Sequence, residues 1–154
     1  TTSNDLSITN GTTTFPSGVL SIGGSLNNTG GAFLSNAGTV RFTAGAAGKT
    51  VRTNGSSFAD VVFDGTGGAW TFADTSATTT RSFTIAAGTP TFPTGTLTIG
   101  EHFDNQSGAF VAGDGTVKLI DFGVVVKGEV SRLTTHGRLI GTINANDLLR
   151  AKVI

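Results

Sequence analysis

The chain has no cysteine, no methionine and no tyrosine, and only 13% of its 154 residues are charged. Without cysteine there is no disulfide framework and no thiolate chemistry. No apolar run approaches the roughly 18 residues that a membrane-spanning helix needs, and no signal peptide or initiating methionine is visible. The chain is therefore expected to be soluble as given, a mature or excised piece, with no membrane insertion. Ten basic side chains balance ten acidic ones, which removes any whole-molecule attraction to nucleic acid or an anionic surface. The charges are unevenly placed. Residues 1 to 116 hold four basic and seven acidic side chains and residues 117 to 154 hold six and three, a mild basic tail that reads as a solvated face.

Glycine is abundant, at 23 residues, and threonine and serine are plentiful. The most informative feature is a repetition. "TTTFPSGVLSIGG" at residues 12 to 24 returns as "TPTFPTGTLTIGE" at 89 to 101, an offset of 77. The same offset carries Ile8 to Ile85, Leu20 to Leu97, Asn28 to Asn105, Gly31-Ala32-Phe33 to Gly108-Ala109-Phe110 and Gly38-Thr39-Val40 to Gly115-Thr116-Val117. From Asp5 to Phe42, 17 of 38 positions are identical to those from Ser82 to Leu119. An internal duplication marks an array whose units bury their faces on one another.

Locally the pattern is strand and turn. Leu6-Ser7-Ile8, Val19-Leu20-Ser21-Ile22, Thr39-Val40-Arg41-Phe42, Ala69-Trp70-Thr71-Phe72, Phe83-Thr84-Ile85, Leu97-Thr98-Ile99 and Thr116-Val117-Lys118-Leu119 alternate apolar with polar, so every second side chain points inward. Between them lie Asn10-Gly11, Gly23-Gly24, Gly30-Gly31, Asp64-Gly65, Gly67-Gly68 and Asp114-Gly115, which supply turn geometry. Only "NANDLLRAKVI", with Asn146 or Asp147 as N-cap, suits a short helix.

Two all-β architectures fit such a chain. A β-sandwich would show turn signals about every 8 to 12 residues and no register-preserving duplication. A right-handed parallel β-helix, a β-solenoid, needs inward Leu, Ile, Val and Phe stacked turn upon turn. Inward positions at Leu20, Val40, Val61 and Phe83, then Leu97 and Val117, favour the solenoid, with the 77-residue unit divided into about four turns of about 19. Side chains one copy apart are then expected to stand in line along the axis. Phe15-Pro16 and Phe92-Pro93 are expected at equivalent corners, where a missing donor does no harm. Trp70 and Phe72 should point inward, and Phe15, Phe33, Phe42, Phe63, Phe83, Phe92, Phe103 and Phe110 should form an aromatic stack. The organisation is a solenoid over residues 1–120, made of two related units (5–81 and a truncated 82–120). A C-terminal extension, 121–154, adds further strands and a short helix acting as cap or docking segment.

The stretch "FADVVFDGTGGAWTFAD … FTIAAGTPTFPTGTLTIGEHFDNQSGAFVAGDGTVKLI" resembles the repeats of large bacterial surface and autotransporter-like proteins. The resemblance covers residues 5 to about 120 and implies a right-handed β-helix displayed outside the cell. The tail, with Val130, Leu133, Leu139, Ile143 and Leu148, faintly resembles the polymerising β-helix of bactofilins.

Chemistry is sparse. His102 and His136 are the only histidines, and neither has metal-ligand spacing, so both read as surface or turn residues. No glycine cluster leads into a phosphate-binding motif, and the calcium-binding nonapeptide of β-rolls is missing. No cofactor, metal or catalytic residue is assigned, and no enzyme activity is expected. Asp60, Asp64, Asp74, Asp104 and Asp114 are the acids that a polysaccharide-active enzyme would use, but each reads as a corner residue bonding its own backbone. Threonine pairs at Thr12/Thr14, Thr89/Thr91 and Thr96/Thr98 suggest ice binding only if they stack at successive turns on one face.

The sequence thus points to an extracellular or cell-surface structural protein whose partner is itself, a homo-oligomer or head-to-tail polymer. The alternative is an adhesin stalk or passenger fragment meeting glycans or a host surface. An ice-binding protein and a polysaccharide-active enzyme are further readings.

Overall fold

The computed structural model describes residues 4–120 and the short strand at 143–144. The helix expected within 144–154, the remaining tail positions and His136 lie outside the described residues. The described chain is a parallel β-solenoid of about six turns, with no helix.

The first turn consists of β1 (Leu6–Ile8), β2 (Thr12–Thr14) and β3 (Val19–Ile22), and the second of β4 (Leu26–Asn28), β5 (Ala32–Leu34) and β6 (Thr39–Phe42). Then follow β7 (Lys49–Arg52), the long β8 (Asp60–Phe72), β9 (Ala77–Thr79), β10 (Ser82–Thr91), β11 (Thr96–Ile99), β12 (His102–Asn105), β13 (Thr116–Leu119) and β14 (Ile143–Asn144).

Pairing arranges these strands on three sides. The first side stacks β1, β4, β7 and the second halves of β8 and β10. The second stacks β2 on β5, then, beyond Phe58, β9, β11 and β13. The third stacks β3, β6, the first halves of β8 and β10, and β12. β8 and β10 each run around a corner, so one strand serves two sides, and the ladder between them shifts register around Ala87. On the third side Leu20, Val40, Val61 and Phe83 form one column, as the sequence spacing indicates.

Two expectations are corrected. Register partners lie 20 residues apart at Leu6 and Leu26 and 25 apart at Leu26 and Val51, so the turn is longer than 19. The copies also do not stand in line. Leu20 lies on the third side with Val40, whereas its equivalent Leu97 lies on the second with Val117. Likewise Ile8 pairs on the first side with Asn28, and Ile85 on the third with Asn105. Counting sides along the chain, 77 residues advance eleven, which is three turns and two-thirds. Each copy is turned by one side relative to the other. The three sides present the same kind of inward position, so this rotation leaves every apolar residue inside.

Local geometry is nevertheless reproduced. A Cβ on Gly38 would lie 2.1 Å from the Pro16 carbonyl oxygen, and one on Gly115 would lie 2.2 Å from that of Pro93. Glycine is therefore required where the chain passes the Phe-Pro corner of the previous turn. The rings beside these corners match as well. Phe15 stacks on Phe33 at 4.6 Å and Phe92 on Phe110 at 4.9 Å.

The core is a continuous file of rings along the axis. Phe33, Phe58, Phe42, Phe63, Phe83 and Phe92 connect in sequence at centroid distances of 5.0 to 6.3 Å. Trp70, Phe63 and Phe83 are fully shielded, and Phe15, Phe72 and Phe92 are buried. Separations in this range are those at which aromatic pairs add stability beyond area burial. Corner glycines make room for Trp70: at Gly88, with φ +87°, a Cβ would lie 2.7 Å from the indole. Among the described residues the Trp70 Nε1 donor alone is buried without an acceptor.

Candidate functional site

The polar features of the described chain are built by the same turn-to-turn register as the core. Residues about 20 apart in sequence become neighbours, so outward side chains form ladders along the axis. Asp60 opens β8 beside Arg81 and Ser82 of the next turn. Its carboxylate accepts from Arg81 Nε at 3.2 Å, from the Arg81 terminal guanidinium nitrogen and from the Ser82 amide at 3.1 Å. Burial alone would raise the Asp60 pKa, but these donors outweigh it and hold the carboxyl below its ordinary value. The Arg81 guanidinium is raised in turn, chiefly through its hydrogen bond to Asp60.

One turn further, Glu101 and His102 continue the corner. His102 Nδ1 lies 3.8 Å from Glu101 Oε2, and both side chains are exposed. Thr39, Asp60, Arg81, Ser82, Thr84, Glu101 and His102 line a shallow, open groove of about 530 Å³ on the third side. On the same side Arg41 pairs with Asp64.

The five candidate acids are dispersed rather than convergent. Asp60 and Asp64 are each committed to an arginine. Asp74 accepts from the Thr53 amide, from Thr53 Oγ1 at 3.0 Å and from the Asn54 amide at 3.2 Å. It thereby fixes the preceding turn at a corner where Asn54 adopts a positive φ of 50°. Asp104 accepts from Gln106 at 2.8 Å, and Asp114 sits in a turn before β13. The expectation that these acids bond their own backbone in corners is corrected for four of them. Asp60, Asp64 and Asp104 lie within strands, and Asp60, Asp64 and Asp74 bond across turns. In a solenoid the nearest donor is the next turn, about 20 residues away, rather than the next residue.

No group of three or more His, Cys, Asp or Glu among the described residues is placed to hold a metal ion. No family model, curated protein or solved structure matches the chain.

The threonine pairs do not build a rank. Thr12 and Thr14 neighbour Ala32 and Leu34. Thr89 and Thr91 neighbour Ala69 and Thr71. Thr98 has Thr78 on one flank and Lys118 on the other. Thr50, Thr71 and Thr91 do form one column on the first side and Thr96 neighbours Thr116, but the Thr-x-Thr pair itself is not repeated at successive turns.

A further polar element was not singled out by sequence reasoning. Asn28 is fully shielded; its amide donates to the Thr53 carbonyl at 2.8 Å, and its Oδ1 accepts from the Gly31 amide at 3.0 Å. Its equivalent Asn105 is exposed, and among the described residues no turn is stacked over the third-side corner after β12. The duplication itself was the available signal for Asn28.

The two ends differ. Among the described residues β1, β2 and β3 each pair on one side only, with the second turn. At the far end β13 is covered by β14, which pairs with it antiparallel at Thr116–Asn144 and Val117–Ile143.

Proposed function

We propose that this chain is an extracellular structural protein, a self-associating subunit of a filament or surface fibre. One observation carries the reading: a solenoid whose first-turn strands offer a three-sided edge of backbone donors and acceptors that, among the described residues, is paired on one flank only. Such an edge templates further strands unless it is blocked. The aromatic file supports it by making the turns a stiff rod rather than a hinged array. The outward polar residues support a non-catalytic reading, since Asp60, Asp64 and Asp74 are occupied by arginine and backbone donors.

Stacking of unlike ends is a heterologous contact and propagates unless it closes. Electron microscopy and analytical ultracentrifugation over a range from micromolar to millimolar protein test the proposal. Concentration-dependent linear oligomers are expected, and monodisperse monomers throughout would refute it.

A second reading is a stalk or passenger fragment that meets glycans. The groove of the third side favours it, with two carboxylates, a guanidinium, an imidazole and three hydroxyls within one open surface. Glycan-array binding that is lost in Arg81→Ala would support this reading, and an array without signal would remove it.

A further inference from the structure

The open edge of the first turn has a covered counterpart inside the same molecule. By the 77-residue offset, β1, β2 and β3 correspond to the first half of β10, its second half and β11. In the interior that edge is occupied. The first half of β8 lies parallel against Phe83–Ile85, its second half against Thr89–Thr91, and β9 against Leu97–Ile99. The molecule therefore displays which strands an edge of this kind accepts, and in which register.

Exposure differs in the same sense. Leu97 is 1% exposed, whereas its equivalent Leu20 is only half-buried and the adjoining Val19 is 58% exposed. Leu6 is half-buried where its equivalent Phe83 is fully shielded.

We infer that the edge of β1, β2 and β3, unpaired among the described residues, is a docking surface for the last turn of another unit of this repeat, a turn built like residues 58–81 and added in parallel. The inference rests on the reading of the chain as a self-associating subunit and names the surface; the incoming turn belongs to a unit that ends there, since in this chain residues 58–81 are themselves covered by β10 and β11. Thr84 is the register partner of Val62, and Ser7 stands where Thr84 stands, so Ser7 pairs with the incoming Val62. The chain's own far end is the poorer partner, because there β13 already carries the antiparallel β14. Asp5 stands where Ser82 donates its amide to Asp60; its own carboxylate accepts from the Ser25 amide of the second turn, so the incoming Asp60 meets the Asp5 amide. Each added unit is turned by one side, so three units restore the starting orientation.

The test is an extended chain in which residues 5–81 are placed ahead of Asp5, so that the added Arg81 is followed by Asp5 as Arg81 is followed by Ser82. The Leu6 amide and the Ile8 carbonyl already engage the second turn, which leaves the Ser7 amide facing outward. Its hydrogen exchange is expected to slow by roughly a hundredfold or more on extension. The chain has no cysteine of its own. Ser7→Cys combined with Val62→Cys in the added unit should close a disulfide on mild oxidation, since parallel neighbours fall within its Cα range. Ser7→Cys with Thr66→Cys in the added unit should not close. Unchanged exchange, a bond at the shifted position, or an added unit that stays unfolded would each overturn the inference. A 154-residue chain that is monomeric throughout, with a protected Ser7 in the extended chain, refutes self-association and leaves the docking edge standing. Oligomers of the 154-residue chain with an unprotected Ser7 do the reverse.

Discussion

Phe83 and Leu6 occupy the same position of the repeat, and substituting each by alanine separates the aromatic core from the open edge. Phe83 is fully shielded and meets Phe63 at 5.5 Å, Phe72 at 6.4 Å, Phe92 at 5.5 Å and Phe103 at 5.9 Å. Deleting a buried ring costs about 3 to 5 kcal/mol. With four ring partners and turns stacked on both flanks the site cannot collapse, so the upper end of that range is expected. Leu6 is half-buried and covered by Leu26 on one flank alone, and Leu6→Ala should cost about 1 to 2 kcal/mol, near the transfer value for a partly exposed leucine. Denaturant titration followed by backbone circular dichroism gives both values. Fluorescence of Trp70, the single tryptophan, adds a second criterion. Phe83→Ala should move the circular dichroism and fluorescence midpoints together, whereas Leu6→Ala should fray the first turn and leave the Trp70 transition almost in place. Equal costs at the two positions, or a larger cost for Leu6→Ala, would refute the reasoning.

Further perturbations follow the same geometry. Phe92→Ala should cost more than Phe15→Ala in the same titration, because Phe92 meets Phe83, Phe103 and Phe110 while Phe15 meets Phe33 alone; values of about 5 and about 3 kcal/mol are expected. Asp74→Ala should destabilise by about 1 to 3 kcal/mol in thermal melts, since the buried Thr53 amide loses its acceptor, and Asp74→Asn should recover part of the loss. Against the opposing effect of burial, the Asp60 carboxyl is held below the ordinary aspartate value of 3.8 by the Arg81 and Ser82 donors. Its contribution is therefore present above that value and lost as pH falls through the depressed folded pKa. Asp60→Asn should flatten the acid limb of stability against pH, and an unchanged limb would show that the Arg81 pairing contributes nothing.

The strands were legible because alternation survives whatever the turn length is. Leu20, Val40, Val61 and Phe83 could be aligned from spacing alone, and the burial of Trp70 and Phe72 followed from their period of two. The rotation between copies was not legible. The offset of 77 counts residues, whereas the side on which a residue lands depends on how many strands make a turn. Three sides with interchangeable apolar positions leave no mark of that number in the sequence. Phe58 was missed because it sits in an isolated bridge to Thr79, outside any alternating run. The acids were misread for the same reason as the turn length: a partner 21 residues away, as Arg81 is for Asp60, is invisible until the turn is known. The turn able to cover the first-turn edge emerged only when β8 and β9 were seen against the second copy.

The central claim is that residues about one turn apart stand side by side in parallel on three sides. In this cysteine-free chain it is tested by paired substitutions at outward register partners, Val62→Cys with Thr84→Cys on the third side and Thr78→Cys with Thr98→Cys on the second. Mass spectrometry after mild oxidation should find both intramolecular disulfides formed nearly to completion, with the circular dichroism spectrum unchanged. Failure of both pairs to close in folded protein would contradict the solenoid.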